Sequence, residues 1–323
     1  MNINEKNIKL WSSIGSRATF GLAVLELGKS IDNLMVLTSD VSTSAGLDRF
    51  KKAYPEKYLD VGIAEQNLIG IAAGLASENY NVITTTFAPF QVMRCCEQIK
   101  VNLGYMKNKV CMVGIASGLV LGNLGYTHCC IEDVGVLRSI PNLKIISPAD
   151  TLETVKALEA VVKNKDSSVY IRLTGSSNNP AVYDHDYKFE IGKAIELVSG
   201  EHIVIFCCGT MVHHSLEVSK ILRKNNINAK VVNMHTIKPI DKEAIKNAIE
   251  AKLIVSIEEH NVIGGLGSAV AEELSKLGYK NKHLTLGIQD EYSEGGDYKY
   301  LLDRHGLSIE KIINKILTTM EKL

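Results

Sequence analysis

The feature that most restricts this chain is a series of short, nearly uninterrupted apolar runs separated by longer stretches of helical period. Residues 34–39 (LMVLTS), 82–86 (VITTT), 110–115 (VCMVGI), 144–146 and 169–173 (VYIRL) have the first character. A strand with one wet face alternates apolar and polar side chains, whereas a strand covered on both faces need not, so these runs predict parallel strands buried beneath helices. Between them the spacing predicts helices over 17–30, 64–79, 90–103 and 151–165. Alternation on this scale predicts a doubly wound α/β domain.

Residues 174–188 (TGSSNNPAVYDHDYK) interrupt the pattern, being rich in Gly, Ser, Asn and Asp and without periodicity. Such a stretch reads as a connection between domains. The alternation then restarts with strands predicted over 203–208, 230–234, 253–257 and 283–286, and with helices after Gly209, after Asp241 and around 268–277. The expected plan is an α/β chain of two doubly wound domains, 1–180 and a smaller 191–323, joined by a linker at 181–190. A length of 323 residues suits two such cores.

Composition narrows the function classes. Lys plus Arg and Asp plus Glu are balanced at 36 each, so the basic excess expected of a nucleic-acid or membrane-surface protein is missing. A near-neutral chain tends to associate, which favours a large partner surface. The start, MNINEKNIKLWSS, has no apolar signal core, and apolar runs such as 203–208 are too short to span a bilayer. Seven cysteines include three adjacent pairs and no CxxC spacing, a pattern of small buried hydrophobes in a reducing, cytoplasmic setting.

Three segments carry chemistry. In 60–76 (DVGIAEQNLIGIAAGLA) a strand end runs through glycine into an Ala/Gly-rich helix opened by Glu65, where a carboxylate is favoured by the helix dipole. Alone, this could be an ordinary first-turn Glu on a closely packed helix. In 84–90 (TTTFAPF) Phe87 and Phe90 stand three residues apart at a strand end, where ligands of parallel sheets gather, and could hold a flat heteroaromatic ring or simply fill core. In 122–141 a Gly-x-x-Gly loop leads to Thr127 and His128, and an acidic helix start follows at Glu132 and Asp133. A His at such a junction serves proton transfer or oxyanion binding, or is structural.

Taken together, GIAEQN at 62–67, TFAPF at 86–90, THCCIEDVGVLRSIPN at 127–142, SPAD at 147–150 and YIRL at 170–173 resemble the pyrimidine-binding domain of transketolases. EEHNVIGGLGSAVAEEL at 258–274 is similar to the C-terminal domain of that family, so the resemblance covers nearly the whole chain. It implies thiamine diphosphate as cofactor. Glu65 matches the glutamate that hydrogen-bonds the aminopyrimidine ring, and Phe87 and Phe90 match the aromatics packed on that ring. Asp40 matches an aspartate near the thiazolium, and His128 a histidine that contacts substrate oxygens. Arg17 and Ser44 match positions that grip a sugar phosphate. The chain departs from the usual pattern at Ala116, Leu124, Tyr126 and Gly175, where His, Asp, Pro and a second phosphate-binding Arg are expected. Those changes set the usual pentose-phosphate substrates in question.

The diphosphate and Mg²⁺ or Ca²⁺ site of this family begins with Gly-Asp-Gly, and no GDG occurs in the sequence. The resemblance therefore implies the C-terminal subunit of a split transketolase. An N-terminal partner would hold the metal and the diphosphate, with two copies of each chain and none of the metal ligands on this one. The glycines of GGLGSAVAEEL are expected to serve tight turning rather than nucleotide binding. Competing readings are the beta subunit of a 2-oxoacid dehydrogenase, part of a 1-deoxyxylulose-5-phosphate synthase, and a non-catalytic partner subunit on the same fold.

Overall fold

The structure, a computed structural model, describes every residue except 164, 165, 176 and 178. In chain order the strands are β1 (Leu34–Thr38), β2 (Tyr58–Asp60), β3 (Asn81–Phe87), β4 (Val110–Ile115), β5 (Leu143–Ile146), β6 (Ser168–Arg172), β7 (Ile195–Val198), β8 (Ile203–Cys207), β9 (Ala229–Asn233), β10 (Thr236–Lys238), β11 (Leu253–Asn261) and β12 (Lys282–Ile288). They form two sheets, ordered β10-β5-β6-β4-β3-β1-β2 and β12-β11-β8-β9-β7. Every pairing is parallel except β10 on β5 and β7 on β9. Strands β4, β6 and β8 are buried along their whole length, the condition that frees a strand from alternation.

The long apolar strands lie where the sequence puts them, and β2, β7 and β10 are additions of three or four residues. So short a strand carries no readable period. The first helix, Glu5–Ser30, begins before the predicted residue 17 because Asn4 caps it, accepting from Asn7 N, and the turn at Gly15 (φ 82°) is merged within it. The helix predicted over 90–103 is instead three pieces: Ala88–Val92, Cys96–Gln98 and a π-helical Ile99–Tyr105. Its break has a local cause. Arg94 N bonds back to Pro89 O at 3.3 Å, a widened turn, and Cys95 leaves helical geometry while its thiol donates to Phe90 O. The helix predicted to 165 is described as Thr151–Lys163, with Lys165 outside the described residues.

Polar groups tie the two sheets together. Arg172, at the end of β6, donates from Nε to both oxygens of Asp133 at 2.9 Å and from Nη2 to Cys130 O and Glu259 O. Tyr170 adds a hydroxyl to Asp133 at 2.8 Å, and Arg138 reaches Gly264 O at 2.9 Å. Residues 182–187 do not hang free. Val182 N and Tyr183 N donate to Asp150, while Tyr183 and Tyr187 stack at 4.1 Å and both donate to Glu153.

Candidate active site

Of the sequence-predicted residues, Asp40, Glu65, Phe87, Phe90 and His128 follow the carboxyl ends of β1 to β4, the edge of a parallel sheet where ligands gather. Asp60, closing β2, organises this edge by accepting from Asp40 N at 2.9 Å and Gly62 N at 3.0 Å. It thereby joins the turn after β1 to the one that leads into the helix Glu65–Ser77. Asp40 is exposed, in the left-handed region at φ 55°, a conformation that Asp tolerates better than most side chains.

Glu65 opens its helix with a side chain only 4% exposed, and it meets Arg94 Nη1 at 2.6 Å. The same guanidinium lies over the Phe90 ring, 4.1 Å from its centroid. Phe87 and Phe90 meet edge to face at 6.2 Å, and the His128 ring stands edge-on to both, at 6.3 and 5.3 Å. The structure thus brings Glu65, Phe87, Phe90 and His128 into one continuous cluster and adds Arg94. Sequence reasoning missed Arg94 because its aim depends on the widened turn at 89–95. His128 Nδ1 sits 2.9 Å from Thr127 Oγ1, which donates to Leu124 O at 3.2 Å. The Nδ1–H tautomer follows from that donor count, leaving Nε2 as an acceptor.

Arg17 and Ser44 lie to one side, on the helix Glu5–Ser30 and the turn packed against it. Gly46 there presses on Arg17 O, 3.1 Å from where a Cβ would sit. Among the described residues Arg17 has no carboxylate partner, and no hydrogen bond or ring contact joins Arg17 or Ser44 to the His128 cluster. At the positions that depart from the usual pattern, Ala116 is buried and Leu124 is 56% exposed. A Cβ on Gly175 (φ 79°) would fall 2.2 Å from the Asn179 amide, so a side chain there would have to displace that amide and hold a strained backbone. Gly118 (φ 72°) is equally confined, since a Cβ there would lie 2.2 Å from Glu259 Oε1. Glu259 in turn accepts from Leu119 N, Thr210 and Tyr298.

The arrangement offers a buried carboxylate, a right-angled pair of aromatic rings and an imidazole, which suits a planar nitrogen heterocycle flanked by an oxygen-bearing substrate. Among the described residues no group of three or more His, Cys, Asp or Glu gathers to hold a metal. All seven cysteines are free, and burial pushes Cys95, Cys111 and Cys207 up to about 12 and Cys129 to about 11. They are packing residues. Among the described residues no helix is long and apolar enough to cross a membrane.

The chain matches the transketolase pyrimidine-binding domain over residues 12–179 and the transketolase C-terminal domain over residues 192–312. The chain belongs to the transketolase family. It is 37% identical, over 95% of its length and 97% of the relative's, to a putative transketolase C-terminal section of Methanocaldococcus jannaschii. It is 36% identical to one of the subunits of the apulose-4-phosphate transketolase of Phocaeicola vulgatus, covering 96% of this chain and 98% of that one. A solved split-gene transketolase, described as an inactive beta4 tetramer, superposes with a TM-score of 0.85 at 35% identity, covering 95% of this chain and 98% of its own. Over 95% of its length the chain corresponds to C-terminal subunits of split transketolases, and its two sheets form the cores of the two α/β domains of the family, β10 of the second domain joining the first sheet.

Proposed function

We propose that this chain is the C-terminal subunit of a thiamine-diphosphate-dependent transketolase and, with an N-terminal subunit, moves a two-carbon ketol unit from a ketose to an aldose. The observation that carries the reading is the cluster itself: Glu65 buried at a helix start, Phe87 and Phe90 at right angles, and His128 edge-on to both. When bound, the cofactor supplies the carbon nucleophile and electron sink that sugars lack. Glu65 would hold a proton at the ring nitrogen of the aminopyrimidine, and the two phenylalanines would fix the plane of that ring. Asp40, at the rim, would face the thiazolium. His128, with Nδ1 committed to Thr127, would meet substrate oxygens through Nε2.

The Arg94 guanidinium lies on Glu65 and Phe90, two of the groups assigned to the aminopyrimidine ring. It is planar and cationic, donates to Glu65 and stacks on Phe90, so admitting the aminopyrimidine requires Arg94 to move aside.

Arg17 and Ser44 would grip the far, oxygen-rich end of the substrate. Since residue 175 is glycine where the family resemblance expects a second arginine, Arg17 would be the single arginine for an anionic group at that end. The diphosphate and its Mg²⁺ or Ca²⁺ would be held by the partner. Ile63 (77% exposed), Tyr105 (83%), Met106 and Met93 lie on the turn before Glu65 and the helices after Phe90, an apolar surface suited to a partner chain. We place two copies of each subunit in the active assembly, and the free thiols suit the cytoplasm.

Calorimetric titration of thiamine diphosphate with Mg²⁺ into the isolated chain and into a co-expressed complex tests the proposal. Tight binding by the complex alone, with ketol transfer and no pyruvate decarboxylation, is expected. Tight binding by this chain alone would refute the split site.

A further inference from the structure

The turn that carries His128 is anchored from outside its own domain. Tyr126 Oη lies 2.9 Å from His305 Nε2 and 3.1 Å from Ser293 Oγ, and the Tyr126 ring packs on Tyr292 with centroids 4.9 Å apart. His305 is 6% exposed. The same C-terminal segment holds the two ends of the loop: Gly296 N donates to Gly122 O at 3.1 Å, and Tyr292 Oη donates to Glu132 Oε1 at 2.7 Å.

Counting donors orders the protons. Ser293 Oγ donates to Glu294 O at 3.1 Å, so the Tyr126 hydroxyl can donate to Ser293 while His305 Nε2–H donates to Tyr126 at 2.9 Å and lies 3.1 Å from Ser293 Oγ as well. His305 Nδ1, without a partner among the described residues, is then a bare lone pair rather than a stranded N–H, the cheaper of the two omissions. Inside the loop, His128 N and Cys129 N both donate to Gly125 O, so Tyr126 sits within the turn that fixes the His128 backbone.

We propose that Tyr126 is a positioning residue: held by His305 and Ser293, it lets the C-terminal domain set where His128 meets the substrate. The inference rests on the substrate-facing role given to His128 above. It also accounts for a departure in the sequence. Tyr126 stands where the family resemblance expects proline, whose ring would stiffen the turn locally. This chain draws the same stiffness from a tertiary hydrogen bond, and misplacing a group that holds substrate oxygens weakens the hold on the substrate and lowers kcat/KM.

The test uses the complex with the N-terminal subunit and three variants: Tyr126→Phe, His305→Phe and the double change. Tyr126→Phe keeps the ring on Tyr292 and loses only the hydroxyl. We expect kcat/KM for the ketose to fall about tenfold, chiefly through KM, with calorimetric cofactor affinity unchanged. The double variant should lose no more than the worse single. Amide hydrogen exchange at His128 and Cys129 should quicken in each variant. Unchanged kinetics with unchanged exchange, or fully additive losses, would overturn the proposal. Should the wild-type complex transfer no ketol unit, the functional reading fails, and the exchange rates alone then decide whether the anchor exists.

Discussion

Arg172→Met is the substitution whose consequence can be worked out furthest from the structure. Arg172 and Asp133 are both essentially without solvent, and the guanidinium satisfies both carboxylate oxygens while bridging Cys130 O of the first domain to Glu259 O of the second. Burial works against the Arg172 charge, but Asp133 outweighs it, so the guanidinium holds its proton more tightly than an ordinary one. Methionine fills much of the volume and leaves a carboxylate buried with, among the described residues, the Tyr170 hydroxyl and the His260 ring, 3.8 Å away, for company. Breaking a buried pair in this way costs about 3–5 kcal/mol. Adding Asp133→Leu removes the stranded charge and leaves the Tyr170 hydroxyl and the Glu259 carbonyl without these partners, about 1–3 kcal/mol each, while Cys130 O keeps its bond from Gly118 N. The double variant should therefore be more stable than Arg172→Met alone. Urea unfolding of the full chain, followed by signals from both domains, measures the differences, and the single variant should also separate the two domain transitions. A loss below about 1 kcal/mol for Arg172→Met, or a double variant showing the sum of the single losses, would refute the reasoning.

Further expectations concern the site and its support. Glu65→Gln, which keeps the shape but not the acid, should lower turnover of the complex by at least about a hundredfold while the circular dichroism stays native; wild-type rates would remove Glu65 from its role. Arg94→Ala frees Glu65 and Phe90 and should tighten cofactor binding about fivefold or more, since a half-exposed ion pair and a cation–π contact are each worth about 0.5–1 kcal/mol. Weaker binding in calorimetry would show that Arg94 serves the cofactor instead. His260, fully buried, donates from Nδ1 to Asn261 O and accepts from Gly135 N at Nε2, and burial pushes it down to about 4. The unfolded chain takes up that proton near the ordinary histidine value, so the stability His260 contributes is complete above it and is lost as pH falls. Between about pH 7 and about pH 5 wild type should lose roughly 2 kcal/mol relative to His260→Gln, read from unfolding free energies at the two pH values. An unchanged gap would mean that the ring is protonated in the fold.

The sequence by itself determined the layered plan. VCMVGI is apolar at every position and VYIRL is interrupted by a charge only at Arg172, without the alternation of a one-sided strand, so parallel strands beneath helices were legible at β4 and β6. Glu65, Phe87, Phe90 and His128 were singled out by the resemblance of GIAEQN, TFAPF and THCCIED to transketolases, since each residue alone also admitted a structural reading. What only the tertiary structure decided are contacts between residues far apart in the chain. β10 completes the first sheet from the second half of the sequence, pairing with β5 through three residues that have no period to read. Arg94 reaches Glu65 because one widened turn rotates it there, and nothing in MRCCEQ announces that rotation. Tyr126 finds His305, 179 residues onward, and Asp133 finds Arg172, 39 residues onward. Local periodicity records which face of an element is buried. The partner of a buried polar group is fixed by how finished elements pack, and that information is spread over the whole chain.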